Sequence, residues 1–295
     1  MTPQYQNIIN KYLKTENIER FRRYMSTRGE VPFHTLKNCL WTDGGKTKNR
    51  KRRNILTDSS KFQKMHDGIK SYGLYLAPAT MVEGVNTCRG EGECAGGCIA
   101  FTANLASIQS QNKQYLFTVA LYHHTVLMLA EIVRAIIDMC EFHMWNDEEV
   151  MIRLNSTSDL PFYMVIDMIA LVRDIQNLKG FYDYTKIPNR FKFQSDVYHL
   201  TYSWSEKSTL KTVSRFDRVS IVVSKEDHKR LLNSWPDVFC DGDKHDLRAL
   251  DERKFVLLSV KNVGGYQQMN KKRTVSESFI QSYDQVVSMF VGGDV

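Results

Sequence analysis

The chain has 295 residues, 42% of them apolar and 25% charged, with a net charge of +7. That balance suits a globular chain large enough to bury its own core, and six cysteines are too few for a disulfide scaffold. The start, MTPQYQNIINKYLK, lacks the basic-then-apolar pattern of a signal peptide. The longest apolar-rich run, YLFTVALYHHTVLMLAEIVRAIIDM, is broken by His123, His124, Glu131 and Arg134, so it predicts a buried helix rather than a membrane span. These features point to a reducing cytoplasm, where grouped cysteines bind metals or do chemistry more often than they form disulfides.

Residues 4–26 are polar and read as helical. Residues 27–60 are mixed and hold the loop TDGGKTKNRKRRN. Residues 1–70 carry 16 Lys and Arg against 6 Asp and Glu, which leaves −3 for the rest of the chain. The basic excess peaks over Lys46–Arg53, a block that suits nucleic-acid phosphates or a solvated linker. From residue 72 the texture changes. YGLYLAP predicts a strand, and the cysteine loop TCRGEGECAGGC follows it. IAFTANLASIQ and QYLFTVALYHHTVLMLAEIVRAIIDMCEF read as helices by apolar recurrence at three and four residues. Strands are predicted at 149–154, 180–185, 197–203, 218–224 and 254–260. Between them lie helices at 161–176, with Pro161 in its first turn, at SEKSTLKTVS with Ser205 as cap, and at KEDHKRLLNSW after Ser224. TVSESFIQSYDQVVSMF closes the chain as a helix.

About six strands thus alternate with helices, which implies a parallel sheet with crossover helices. An open doubly wound sheet and a partial barrel both fit. The polar motifs fall just after strand ends, where such folds build their sites, and this favours the barrel. The expected architecture is an α/β fold with a partial (β/α) barrel-like parallel sheet over residues 61–295. A basic, partly helical N-terminal extension spans residues 1–60.

Cys88, Cys94 and Cys98 sit in one glycine-rich loop, with five and three residues between them. Three thiolates from one loop can hold three corners of a metal site, and glycines let the backbone wrap round it. A structural zinc requires a fourth ligand, for which Cys240 and His245 are candidates. A [4Fe–4S] cluster on three cysteines leaves one iron open. Unligated buried thiols are the plain alternative.

Further polar groups follow the other strands. In RLNSTSDLP, Ser158 or Asp159 can cap the next helix, whereas Ser156 and Asp159 can meet a ligand. Lys186 and Arg190 can receive a phosphate or carboxylate, and Ser203 ends its own strand. In CDGDKHDLRALDE, Asp241 and Asp243 can coordinate a hard cation or pair with Arg248. With Asp246 they also suggest a magnesium-dependent nuclease, although no second acidic cluster completes that site.

RLNSTSD, FYDYTK, YHLTYSWSE and DGDKHDLR, in this order after a cysteine-rich loop, resemble the bacteriophage gene product 88 family over about residues 55–265. That resemblance puts Cys88, Cys94 and Cys98 at the family's cysteine positions, with Arg89 in place of its proline and Ile99 in place of its tyrosine. It implies a phage-type origin, hence a host-cell cytoplasm. The layout is also similar in position to radical S-adenosylmethionine enzymes, whose cluster loop follows the first barrel strand. The expectation is a metal- or iron–sulfur-dependent enzyme acting on a nucleotide or nucleic acid. Cys88, Cys94 and Cys98 would hold the metal. Ser156, Asp159, Lys186, Ser203, Asp241, Asp243 and Arg248 would surround S-adenosylmethionine or the substrate. A non-catalytic nucleic-acid-binding protein with a structural zinc is the rival.

Overall fold

A computed structural model describes residues 2–42, 51–58, 68–79, 81–101, 103–260 and 279–291. One eight-stranded sheet organises them, in the order β1-β2-β3-β4-β5-β6-β8-β7. The strands are β1 (Leu56–Thr57), β2 (Ile69–Leu74), β3 (Glu149–Arg153), β4 (Leu178–Thr185), β5 (Tyr198–Ser203), β6 (Val219–Val223), β7 (Phe239–Asp241) and β8 (Phe255–Ser259). Only β1 runs antiparallel to its neighbour. Five consecutive strands, β2 to β6, stand side by side in chain order. A doubly wound sheet reverses its order partway, so this sequence of neighbours belongs to barrel-type winding. The sheet remains open, with β1 at one edge and β7 at the other. The partial barrel-like reading holds, with two more strands than expected. β1 and β7 have two and three residues, too short for an alternation to register.

The N-terminal helices α1 (Pro3–Tyr12), α2 (Ile18–Met25) and α3 (Leu36–Leu40) place Ile8, Phe21, Met25 and Cys39 in the same apolar cluster as Leu74, Ile152 and Phe181 of the sheet. The long apolar run folds as α4 (Ile108–His123) and α5 (Thr125–Met144), not as a single helix. His124 leaves helical backbone between them, and its Nε2 lies 2.9 Å from the His34 carbonyl oxygen. Apolar recurrence resumes at once on the far side, so periodicity does not reveal the break. Among the described residues no helix is long and apolar enough to cross a membrane.

Two other expected helices shift. The segment after Pro161 makes a short 3-10 turn, and α6 (Met168–Asp174) begins later, capped by Asp167, whose side chain accepts from the Ala170 N–H at 3.2 Å. Ser205 does not cap α7 (Leu210–Val213); Thr209, one residue before its first turn, accepts from the Thr212 N–H instead. Ile99–Phe101 and Ala103–Ala106 form 3-10 turns before α4, which Ser107 caps. Ser224 caps α8 (Lys225–Ser234) as expected. The closing helix α9 spans Tyr283–Val291, and the earlier part of its expected range lies outside the described residues.

Parallel strands in chain order bring the loops that follow them to a single rim. The cysteine loop after β2, residues 154–160 after β3, Lys186 after β4 and the turns after β5, β7 and β8 therefore become neighbours.

Candidate functional site

The turn after β3 is folded by Asn155, a buried residue. Its carboxamide oxygen accepts from the Leu160 N–H at 2.7 Å and the Ser158 hydroxyl at 2.9 Å. Its amide group donates to the Leu160 carbonyl at 3.0 Å and to Asp183 at 2.9 Å. The Asn155 N–H and the Tyr198 hydroxyl also donate to Asp183, at 2.7 and 3.0 Å. Burial pushes the Asp183 carboxyl up to about 6, against the pull of these donors. Thr157 bridges to the chain after β2, accepting from the Leu76 N–H and donating to the Leu76 carbonyl.

Asp159 does not cap a helix. It forms a buried ion pair with Arg190 and accepts from Thr185 Oγ1 at 3.1 Å and the Lys186 N–H at 3.3 Å. Burial raises its carboxyl above the usual range even beside that guanidinium. Its own N–H donates to the Thr87 carbonyl at 2.8 Å, which ties this turn to the start of the cysteine loop.

The cysteine loop is pinned at several points. Asn86 accepts from the Cys88 N–H at 2.7 Å and donates to Glu91 at 2.9 Å. Arg89, which stands where the family resemblance expects proline, donates to the carbonyls of Tyr24 and Ser26 and so anchors the loop to the end of α2. Gly90 presses against the rim: a Cβ there would lie 3.1 Å from Lys186 Cβ and 3.3 Å from Asp159 Oδ2. Cys88, Cys94 and Cys98 are half-buried thiols. Burial pushes the Cys88 thiol far up, and Asp159, Cys94 and Cys98 push it further.

All three cysteines line a cavity of about 230 Å³. Ser156, Asp159, Lys186, Ser203 and Asp243 line it as well, contributed by the loops or ends of four different strands. The Lys186 ammonium lies 4.5 Å from the centre of the Phe279 ring, and its Nζ is buried with no hydrogen-bond partner among the described residues. Asp241 and Arg248 are not among the lining residues. Asp241 faces His228, and Arg248 pairs with Asp251 at 3.0 Å and donates to the His245 carbonyl. Cys240 and His245, the candidates for a fourth zinc ligand, do not line the cavity either; burial holds the Cys240 thiol up at about 11. Asp246 does line it, but its carboxylate pairs with Arg153 at 2.6 Å, so it does not join Asp241 and Asp243 as a third carboxylate.

Arg153 and Tyr184 are among the lining residues that the sequence reading did not name. Arg153 ends β3 and lies 4.4 Å over the ring of Tyr184 on β4. A lone arginine closing the apolar run EVMIRL was the available signal. Residues 46–50 of the basic block lie outside the described residues. The block's end is tied into the fold: Arg52 pairs with buried Glu131, and Arg53 donates to carbonyls at the end of α3. A larger groove of about 650 Å³ lies beyond the Asp159–Arg190 pair, with Lys14, Arg20 and Lys192 around a stacked Tyr163–Phe193 pair 4.1 Å apart.

The model of the family described as gene product 88 matches residues 41–278. The chain belongs to the gene product 88 family. No curated protein and no solved structure matches it. The match is wider than the expected span of 55–265. It takes in Trp41 and Arg52, which pair as an isolated antiparallel bridge. Within this gene product 88 chain, the Asp-Gly-Asp motif flanks a position that admits only glycine: a Cβ on Gly242 would lie 2.5 Å from Val256 Cγ1 and 2.8 Å from the Leu257 carbonyl oxygen.

Proposed function

We propose that the chain is a metal- or iron–sulfur-dependent enzyme, with Cys88, Cys94 and Cys98 as its metal ligands. The observation that carries this reading is the shared cavity: three thiols and polar side chains from several strand ends line the same space. A purely structural zinc clip has no need of that company.

The residues suit a bound cation. A thiol as disfavoured in its ionised form as that of Cys88 stays protonated alone, so a cation that takes it as thiolate must displace a proton. Lys186 offers a buried positive charge to an anionic group lodged beside the sulfurs. A [4Fe–4S] cluster there would supply one-electron chemistry and an open iron for a ligand such as S-adenosylmethionine. The chain's own residues do the rest. Lys186 holds an anionic group, Ser156 and Ser203 offer hydroxyls, and Arg153 keeps Tyr184 and Asp246 in place at the wall.

A nucleic-acid strand or nucleotide as substrate draws support from the larger groove. Lys14, Arg20 and Lys192 suit phosphates, and the Tyr163–Phe193 pair suits a stacked base.

Metal analysis of protein purified without oxygen tests the main reading. Iron and sulfide in stoichiometric amounts, lost in Cys94→Ser, are the expected result. Zinc without iron, equally tight in that variant, overturns it. Separately, a labelled single-stranded oligonucleotide should bind with a steep salt dependence that weakens in Lys192→Ala. Unchanged binding removes the groove from the site.

A further inference from the structure

We propose that His228, Asp241 and Asp243 form a second metal site, distinct from the cysteine loop, for one divalent cation of the Mn²⁺, Fe²⁺ or Zn²⁺ type. The three side chains come from separate places: His228 from α8, Asp241 from the end of β7 and Asp243 from the turn that follows. One donor atom from each lies within 4.8 Å of the other two. No local acidic sequence produces this arrangement; the crossing of α8 over β7 and β8 does.

The distances leave room for a shared ion. His228 Nε2 is 3.3 Å from Asp241 Oδ1, 3.3 Å from the Leu257 carbonyl oxygen and 4.0 Å from Asp243 Oδ2. A charged N–H···O pair closes to about 2.7–2.9 Å when nothing intervenes. Two donors each about 2.1 Å from one ion, at angles of roughly 90–110°, stand about 3.0–3.4 Å apart. The His228–Asp241 distance falls in that range, and the Leu257 carbonyl accepts a hydrogen bond from the same Nε2.

The carboxylates are also held from outside, as metal ligands are. The Asp243 N–H donates to Asp241 Oδ1 at 2.9 Å, and the Ser259 N–H donates to Asp243 Oδ2 at 3.1 Å. Gly242 lets the turn close against β8, so that the two aspartates flank it and both reach His228. The Gly242 N–H donates to the Leu257 carbonyl at 2.8 Å and fixes that oxygen as well. One imidazole with two carboxylates selects a borderline cation; magnesium favours oxygen donors alone. Asp243 and Ser259 line the cysteine cavity, so the ion stands at its wall and adds positive charge there.

Manganese(II) titration of the full-length, chelator-dialysed protein, followed by electron paramagnetic resonance, tests this site. Manganese prefers oxygen and nitrogen to thiolate, so the cysteine loop does not compete. One tight equivalent is expected in the wild type and in Cys94→Ser. Affinity should fall at least about tenfold in Asp243→Asn and in His228→Gln, which keeps a hydrogen-bond donor for Asp241 but loses the imidazole. Manganese should also raise the Tm of the wild type and not that of His228→Gln. No binding below millimolar manganese overturns the proposal. So does equal binding in both variants, which would assign the ion to ordinary surface carboxylates. Loss in Cys94→Ser alone would place it on the cysteine loop and equally refute the second site.

Discussion

Asn155→Ala removes the group that folds the turn after β3. The lost carboxamide makes four hydrogen bonds, all among buried partners. Ser158 can turn its hydroxyl toward the cavity, and Asp183 keeps the Asn155 N–H and the Tyr198 hydroxyl. The Leu160 N–H is left without this partner, at about 1–3 kcal/mol for a stranded buried group, whereas the Leu160 carbonyl keeps the Phe162 N–H at 3.0 Å. Water entering from the cavity offsets part of this cost. A net loss of about 2 kcal/mol is expected, equivalent to a Tm lower by about 3 °C in a chain of this size. Urea unfolding followed by circular dichroism measures it, with an unchanged m-value as the sign that the denatured state is not the cause. Ser158→Ala serves as the comparison, since it removes only one of the four bonds and should cost about 1 kcal/mol. The reasoning fails if Asn155→Ala costs less than about 1 kcal/mol or no more than Ser158→Ala, because the turn would then be held by Thr157 and Asp159 alone.

Two further predictions concern charge. Burial pushes the Asp183 carboxyl up to about 6 from an ordinary value near 3.8. The folded state therefore holds that proton more tightly, so its contribution is fully present below about pH 4 and is lost as pH rises through about 6, by at most about 3 kcal/mol. Asp251, also raised to about 6 by burial, acts in the same direction. Asp183→Asn should flatten this part of the profile, measured as the difference in urea midpoints near pH 4.5 and pH 7; identical profiles for variant and wild type would contradict it. Lys186→Met should stabilise the ligand-free protein by about 1 kcal/mol, since the relief of a buried unpaired ammonium exceeds the loss of its contact with Phe279. The same variant should lose the Tm increase that phosphate or citrate produces in the wild type. A destabilised ligand-free variant would show that Lys186 serves the fold, not an anion.

The strands were legible wherever an apolar run was long enough. β3, β4, β5, β6 and β8 each begin and end within two residues of the sequence reading, because buried parallel strands are continuous apolar stretches bounded by turn residues. Helix starts were less legible. A serine or threonine before a polar run is a good cap only if its side chain reaches the N–H three residues on, and Thr209 has that reach where Ser205 does not. The cysteines, Ser156, Asp159, Lys186, Ser203 and Asp243 could be named because short polar residues after a strand have few structural uses. Asp241 and Arg248 were grouped with them by sequence proximity, and the turn at Gly242 sends their side chains elsewhere. His228 gave no signal at all. On a helix such as KEDHKRLLNS, a single histidine is indistinguishable from any other half-polar position.

The sequence by itself determined the alternation of strands and helices and membership of the gene product 88 family. Those properties are carried by local composition, spacing and motif order. Only the tertiary structure decided which loops share a rim, because strand order depends on how the crossover helices bury their apolar faces against the sheet. It likewise decided which charges neutralise each other. Asp159 pairs with Arg190 and Arg153 with Asp246 across 31 and 93 residues of chain, and Lys186 is left with its ammonium buried at the cavity wall. A buried charge is costly enough that its partner, or its lack of one among the described residues, has to be settled by the packed structure as a whole.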